Sequence, residues 1–368
     1  SHHIWLRDHC RCSKCFHPIT KQRLLNTFEA SSYAPLARLT PTSEGLSVVW
    51  PENQPHVSVY PWSWLRQNSY DPPLFSEQTS TKKVLWGSSI KQDPPTVDYA
   101  KVMHPDDAGL YQWLSKIDEF GFCFVKGVPP TPEATEELST RIGFIRETQY
   151  GKFWDFTSDL AKGDTAYTTL ALGAHTDNTY FTDPCGIQLF HLLSHTHGSG
   201  GATLLVDGFR AASLLRSQHP TVYALLARVP VAAHAAGEPG ALYVPSPRSG
   251  FPVLGHDRAT GELVQVRWNN DDRSVVRGVR GDEMEEWYNA IRTWHGLLAS
   301  PDAEYWVQLG PAVDNHRVLH GRSAFDGKRR MCGAYIGVDE YKSKLAVLRE
   351  KFETPQTEGG RSIWHPYI

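Results

Sequence analysis

A mainly β fold is what the 368-residue sequence predicts: a jelly-roll core flanked by helices, preceded by a small N-terminal β unit. Three observations predict it. Short apolar runs bounded by Gly, Pro and Asp recur through the second half of the chain, their connections are long and irregular, and no βαβ rhythm or dinucleotide glycine fingerprint accompanies them. The length exceeds that at which a single core usually stops growing, so unequal domains are expected, drawn at 1–66, a linker at 67–97, and 98–368.

The N-terminal unit rests on LSVVW at 46–50 and HVSVY at 56–60, both strand-like, followed by the aromatic YPWSWL. From Gln67 to about Pro95 the text turns to Ser, Gln, Pro and Asp, the signature of a surface crossing. Leu110, Trp113, Leu114 and Ile117 then recur at helical spacing behind Pro105 and Asp106, which predicts a helix over 105–118. FGFCFVKGV at 120–128 reads as a buried strand, and 132–143 as a helix opened by Thr131 and Pro132. Further helices are predicted at 209–228 and 282–298, the latter with Met284, Trp287, Tyr288, Ile291, Trp294 and Leu298 on one face. IQLFHLL, ATLLVDGF, ELVQVRWN, RVLHG and MCGAYIGV are the strands of the core.

Composition removes several classes of function. The 37 basic and 40 acidic residues are spread along the chain with a net charge of −3, which gives no field to gather nucleic acid or anionic lipid. No apolar run approaches the roughly 20 residues that span a bilayer, so neither nucleic acid nor membrane is an expected partner. Six cysteines in a chain this large do not make a disulfide scaffold, and a reducing compartment is expected. The chain begins with Ser1 and not Met, which points to a trimmed start; mitochondrial matrix and cytoplasm both accord with it.

Two constellations carry chemistry. In His175-Thr176-Asp177, residues i and i+2 of an extended segment project to one side, and His320 in NHRVLHGR supplies a second imidazole from a neighbouring strand. Two imidazoles and one carboxylate occupy one face of an octahedral Fe(II) and leave three positions open for catalysis. Arg329 and Arg330 stand just before the apolar MCGAY; a guanidinium entering a barrel there would need an anion, and a dicarboxylate co-substrate supplies one. The second constellation is Cys10, Cys12 and Cys15, which with one imidazole would close a tetrahedral, structural zinc site. His56 and the nearer His17 are both available as the fourth ligand. Zinc would contribute folding energy to a core-poor segment.

WLRDHCRCSKCFHP, LGAHTDNTYF, GGATLLVDGF and DNHRVLHGRSAF, spread over nearly the whole chain, resemble the trimethyllysine and γ-butyrobetaine dioxygenase family of 2-oxoglutarate oxygenases. That resemblance implies a double-stranded β-helix core with His175, Asp177 and His320 as iron ligands. It implies Arg329 as the 2-oxoglutarate anchor, with Thr203 a further contact and Arg330 its rival. It points to His56 as the fourth zinc ligand. Tyr150, Trp154 and Tyr167 are implied as the aromatic cage of a quaternary ammonium, which is held by aromatic faces because it can neither donate nor accept an ordinary hydrogen bond. The α-ammonium of trimethyllysine calls for an added carboxylate, for which Asp164 is placed, and Asn269 or Asn270 would meet the amino acid end. The expected reaction is hydroxylation of 6-N-trimethyllysine at C3 by O2, coupled to decarboxylation of 2-oxoglutarate to succinate and CO2, in carnitine biosynthesis. L-Ascorbate as reductant and a homodimer are family expectations. Hydroxylation of γ-butyrobetaine is the nearest alternative; a zinc-dependent interaction protein with an inactive oxygenase domain is the alternative of another class, and a demethylase of trimethylated lysine in histone tails a third.

Overall fold

The computed structural model describes residues 2–28, 38–50, 56–72, 74, 83–157, 168–235, 245, 250–277, 279–308, 310–353 and 364. The chain separates into two compact units, Ser1–Thr81 with Pro355–Ile368, and Lys82–Thr354. The stretch 67–97, expected as a linker, contributes to both: Gln67 ends the helix Trp62–Gln67, and Thr96–Asp98 forms a strand parallel to Phe122–Lys126.

In the first unit an antiparallel sheet runs Arg38–Pro41, Gly45–Trp50, His56–Pro61, between the short helices His3–Asp8 and Trp62–Gln67. Leu6, Val48, Trp50, Tyr60 and Trp64 make its core, and Trp364 from the far end of the chain packs edge-on against Trp64 at 5.1 Å. His56–Tyr60 alternates strictly, but it turns His56, Ser58 and Tyr60 inward and leaves Val57 and Val59 exposed. The inward polar groups have partners there: Ser58 Oγ lies 2.7 Å from Cys10 Sγ and accepts from Trp50 Nε1.

The second unit stacks its two larger sheets. One has the strand order Tyr305–Val307, Thr203–Asp207, Val318–Arg322, Leu172–His175; the other runs Thr96–Asp98, Phe122–Lys126, Ala312–Asp314, Ile187–Thr196, Lys328–Ile336, Trp154–Thr157. Alternation divides their side chains between layers. Leu205 and Val318 pack with Phe122, Phe124 and Val313 between the sheets, whereas Leu204, Val206 and Leu319 face the helices Gly208–Gln218 and Met284–Leu298. On the opposite flank, Ile187, Leu189, Ala334 and Ile336 are covered by Ala108–Phe120, Pro132–Ile142 and Val338–Glu353.

Several element boundaries differ from the sequence reading, each for a local reason. The helix expected over 105–118 begins at Ala108, because Asp107 adopts a left-handed conformation (φ 67°), and it ends at Phe120 before Gly121 at φ 81°. The helix expected over 209–228 is two, Gly208–Gln218 and Pro220–Arg228, since Pro220 lacks the N–H that would continue the first and is suited to open the second. ELVQVRWN is strand only over Leu263–Val266. Leu172–His175, Trp154–Thr157 and the helix Val338–Glu353 were not anticipated. No helix among the described residues is long and apolar enough to cross a membrane.

Candidate active site

Strand pairing builds the centre. His320 lies opposite His175 where Val318–Arg322 runs antiparallel to Leu172–His175, and it projects between the sheets because its cross-strand neighbour Leu205 does. That close pairing needs Gly321: a Cβ there would come within 2.4 Å of the Leu172 carbonyl oxygen. The hydrogen-bonded strand stops at His175, and Asp177 meets the histidines from the bend just beyond it; Asn178 at φ 60° carries the chain away behind it. Asp177 Oδ1 lies 3.3 Å from His175 Nε2 and 3.6 Å from His320 Nε2, and the three side chains form a metal-capable group.

The surroundings prepare all three as ligands. His175 Nδ1 sits 2.8 Å from the Gly173 carbonyl, to which it donates, so Nε2 is the nitrogen turned to Asp177 and the one left for a metal once it is deprotonated. Burial disfavours charge on His175, yet hydrogen bonding and attraction to Asp177 more than offset it and raise the pKa. At His320 burial, reinforced by His175, prevails and lowers it. Burial would raise Asp177, but the two imidazoles hold it well below the ordinary carboxylate range. An anionic carboxylate and neutral imidazole lone pairs are what a divalent cation requires. This donor set fits Fe(II), whose remaining positions would open into the cavity of about 140 Å³ beside it.

Arg329 lines that cavity. It is 4% exposed, burial draws its pKa down to about 10, its Nε has no hydrogen-bond partner among the described residues, and its guanidinium lies 5.5 Å from the centre of the Phe325 ring. A buried guanidinium without an anion is costly, so the position fits a dicarboxylate. Arg330, one residue on, faces outward and pairs with Asp155 at 2.5 Å; the pleat sends the two arginines to opposite sides. Thr203 also lines the cavity, as do Tyr150 and Trp154. Asp164 and Tyr167 lie outside the described residues. Asn269 reaches the cavity while Asn270 is exposed, and the Asn269 side chain is occupied in a turn, donating to Asp272 and accepting from the Asp271 N–H.

The structure adds residues that the sequence reading missed. Tyr180, Gln188, Asp272, Arg322 and Tyr335 line the same cavity. Tyr335 was findable: it stands six residues after Arg329 on one strand, and the even separation puts both on one face. Gln188 carried no motif.

In the first unit, ligand atoms of Cys10, Cys12, Cys15 and His56 all lie within 4.8 Å of one another. His56 Nε2 is 3.7 Å from both Cys10 and Cys15 sulfurs, whereas His17 Nδ1 accepts from the backbone N–H groups of Ile19 and Thr20. A hydrogen bond from Cys10, aided by donation from Arg7, draws Cys15 down to about 5 against burial. Three thiols and one imidazole at this spacing fit tetrahedral zinc with no open position.

Residues 80–335 match the taurine catabolism dioxygenase TauD, TfdA family. The chain belongs to that family. As a TauD, TfdA dioxygenase it carries in addition, over residues 1–66, the domain described as gamma-butyrobetaine hydroxylase-like, N-terminal. It is 43% identical to the trimethyllysine dioxygenase of Neurospora crassa over 93% of this chain and 79% of that one. The mitochondrial trimethyllysine dioxygenase of Homo sapiens is 41% identical over 94% and 82%, and the gamma-butyrobetaine dioxygenase of a Pseudomonas species 31% over 95% and 90%. Among solved structures, AAD-2 in complex with Mn(II) and N-oxalylglycine shares the fold at a TM-score of 0.50, with 14% identity over 66% of this chain and 92% of that one.

Proposed function

We propose that this protein hydroxylates 6-N-trimethyllysine at C3, coupled to oxidative decarboxylation of 2-oxoglutarate to succinate and CO2, as a step of carnitine biosynthesis. The observation that carries the reading is Arg329, a buried cation without a counter-ion among the described residues, in the same cavity as the His175, Asp177, His320 set. Identity of 41% to 43% with relatives named trimethyllysine dioxygenase supports the substrate over γ-butyrobetaine. In this reading His175, Asp177 and His320 hold Fe(II), and Arg329, aided by Thr203, binds the far carboxylate of 2-oxoglutarate. Bound together, iron and 2-oxoglutarate supply the means to use O2 for hydroxylating a C–H bond.

The protein's own part is positioning. Tyr150 and Trp154, with Tyr167, present aromatic faces to the trimethylammonium group, and Asp164 takes the α-ammonium. Asn269 acts by shaping the turn that carries Asp271 and Asp272 to the cavity. Zinc on Cys10, Cys12, Cys15 and His56 is structural. Ascorbate as reductant, a homodimer, and a mitochondrial or cytoplasmic setting belong to the same reading by family resemblance.

Anaerobic loading with Fe(II) and 2-oxoglutarate, followed by oxygen in the presence of trimethyllysine or γ-butyrobetaine, tests it by mass spectrometry. Hydroxytrimethyllysine is the expected product. Carnitine alone would transfer the assignment to γ-butyrobetaine, and succinate without either product would send the search to methylated peptides.

The two adjacent arginines separate cleanly. Arg329→Met is expected to raise the KM for 2-oxoglutarate about 100-fold, the scale of a lost charge-assisted, bidentate contact. Arg330→Ala should stay within about twofold, because its pair with Asp155 is solvent-exposed and adds little to stability. Equal effects from the two would remove the assignment of Arg329.

A further inference from the structure

Asp177 has two carboxylate oxygens, and only Oδ1 faces the histidines. The other, Oδ2, accepts from Gln188 Nε2 at 2.6 Å and from the Tyr335 hydroxyl at 2.7 Å. The Gln188 amide is oriented by its partner: an ionised carboxylate only accepts, so the NH₂ end faces it. That leaves Gln188 Oε1 buried and without a protein partner among the described residues.

The two donors are fixed by sheet geometry. Gln188 and Tyr335 are directly opposed partners in the antiparallel pair Ile187–Thr196 and Lys328–Ile336, so their side chains project to one face and meet at one atom. Both are buried. The backbone of Asp177 is held independently by Asn315, whose Oδ1 accepts from the Asp177 N–H and whose Nδ2 donates to its carbonyl. Main chain and side chain are therefore each fastened, from different elements.

We infer that Gln188 and Tyr335 are positioning residues that restrict Asp177 to one-armed ligation through Oδ1. A carboxylate can bind a divalent ion with one oxygen or two. With both donors on Oδ2, turning that oxygen to the metal would strip two part-buried hydrogen bonds and leave the donors unsatisfied. Asp177 thus occupies a single position, and the positions needed for co-substrate and O2 stay open. Without the donors, Oδ2 is free to swing inward and take one of them.

The inference rests on the metal reading of His175, Asp177 and His320, and Co(II), added to the full chain with its Cys10, Cys12, Cys15 and His56 set already filled by zinc and followed by visible absorption and calorimetry, tests the two apart. Wild-type protein should bind Co(II) at a site that His175→Ala removes. Gln188→Leu, close in size, and Tyr335→Phe, which keeps the ring, should each weaken Co(II) binding by about 10- to 100-fold, the range for loss of a group that orients a ligand. Their cobalt absorption should also weaken, as it does when coordination number rises. In turnover the same variants should release more succinate per hydroxylated product than wild type. If wild-type binding is lost in His175→Ala but Gln188→Leu and Tyr335→Phe match wild type in affinity and spectrum, the positioning role falls while the metal reading stands. If wild-type protein binds no Co(II), or if His175→Ala leaves its binding unchanged, both fall. Tyr335→Phe decides alone should Gln188→Leu fail to fold.

Discussion

His175→Ala should abolish succinate formation, with a loss exceeding the roughly 100-fold that removal of an outer-shell partner causes. The reason is specific to this imidazole: one nitrogen is fixed by the Gly173 carbonyl, so the other is aimed at Asp177, and no other described histidine reaches that position. Little packing goes with it. His175 keeps 16% of its side-chain surface exposed and ends its strand, so the variant should fold with a Tm close to wild type. Succinate production at the wild-type rate by a folded His175→Ala protein would sink the iron assignment.

Arg317→Met should produce the largest loss of stability, about 3–5 kcal/mol. Arg317 is 1% exposed and grips Asp207 with two hydrogen bonds, Nε to Oδ1 at 3.1 Å and Nη2 to Oδ2 at 2.8 Å, while its remaining donors reach the Glu119 and Val84 carbonyls. Asp207 in turn accepts from the backbone N–H groups of Phe209 and Arg210, capping the helix Gly208–Gln218, and from that of Trp86. Methionine fills the volume but strands a buried carboxylate and two carbonyls. Thermal unfolding should show a drop in Tm of about 10 °C for a unit of this size. Adding Asp207→Asn removes the stranded charge, so the double variant should lose much less than the sum of the single losses. A single variant within 1 kcal/mol of wild type would show that this pair does not hold the unit together.

The sequence carried the chemistry further than the geometry. The candidate set His175, Asp177 and His320 was legible because metal ligation would demand particular side chains, and the candidate set Cys10, Cys12 and Cys15 because three close thiols have few other uses. Periodicity placed the strands and helices it identified near their observed spans because burial of one face is a local constraint. It failed where backbone chemistry overrode pattern, at Asp107 and at Pro220, and where an element is short, as in Trp154–Thr157.

What the sequence by itself determined is the inventory of reactive groups, since each is defined by its own functional atoms. Only the tertiary structure decided which of two adjacent arginines enters the cavity, which of His17 and His56 meets the thiols, and which donors close on Asp177. Those choices depend on strand register and facing, and a shift of one residue would turn Arg329, His56, Gln188 and Tyr335 to the other face of their sheets. Gln188 and Tyr335 are 147 positions apart and become neighbours only when two strands pair, which no local pattern records.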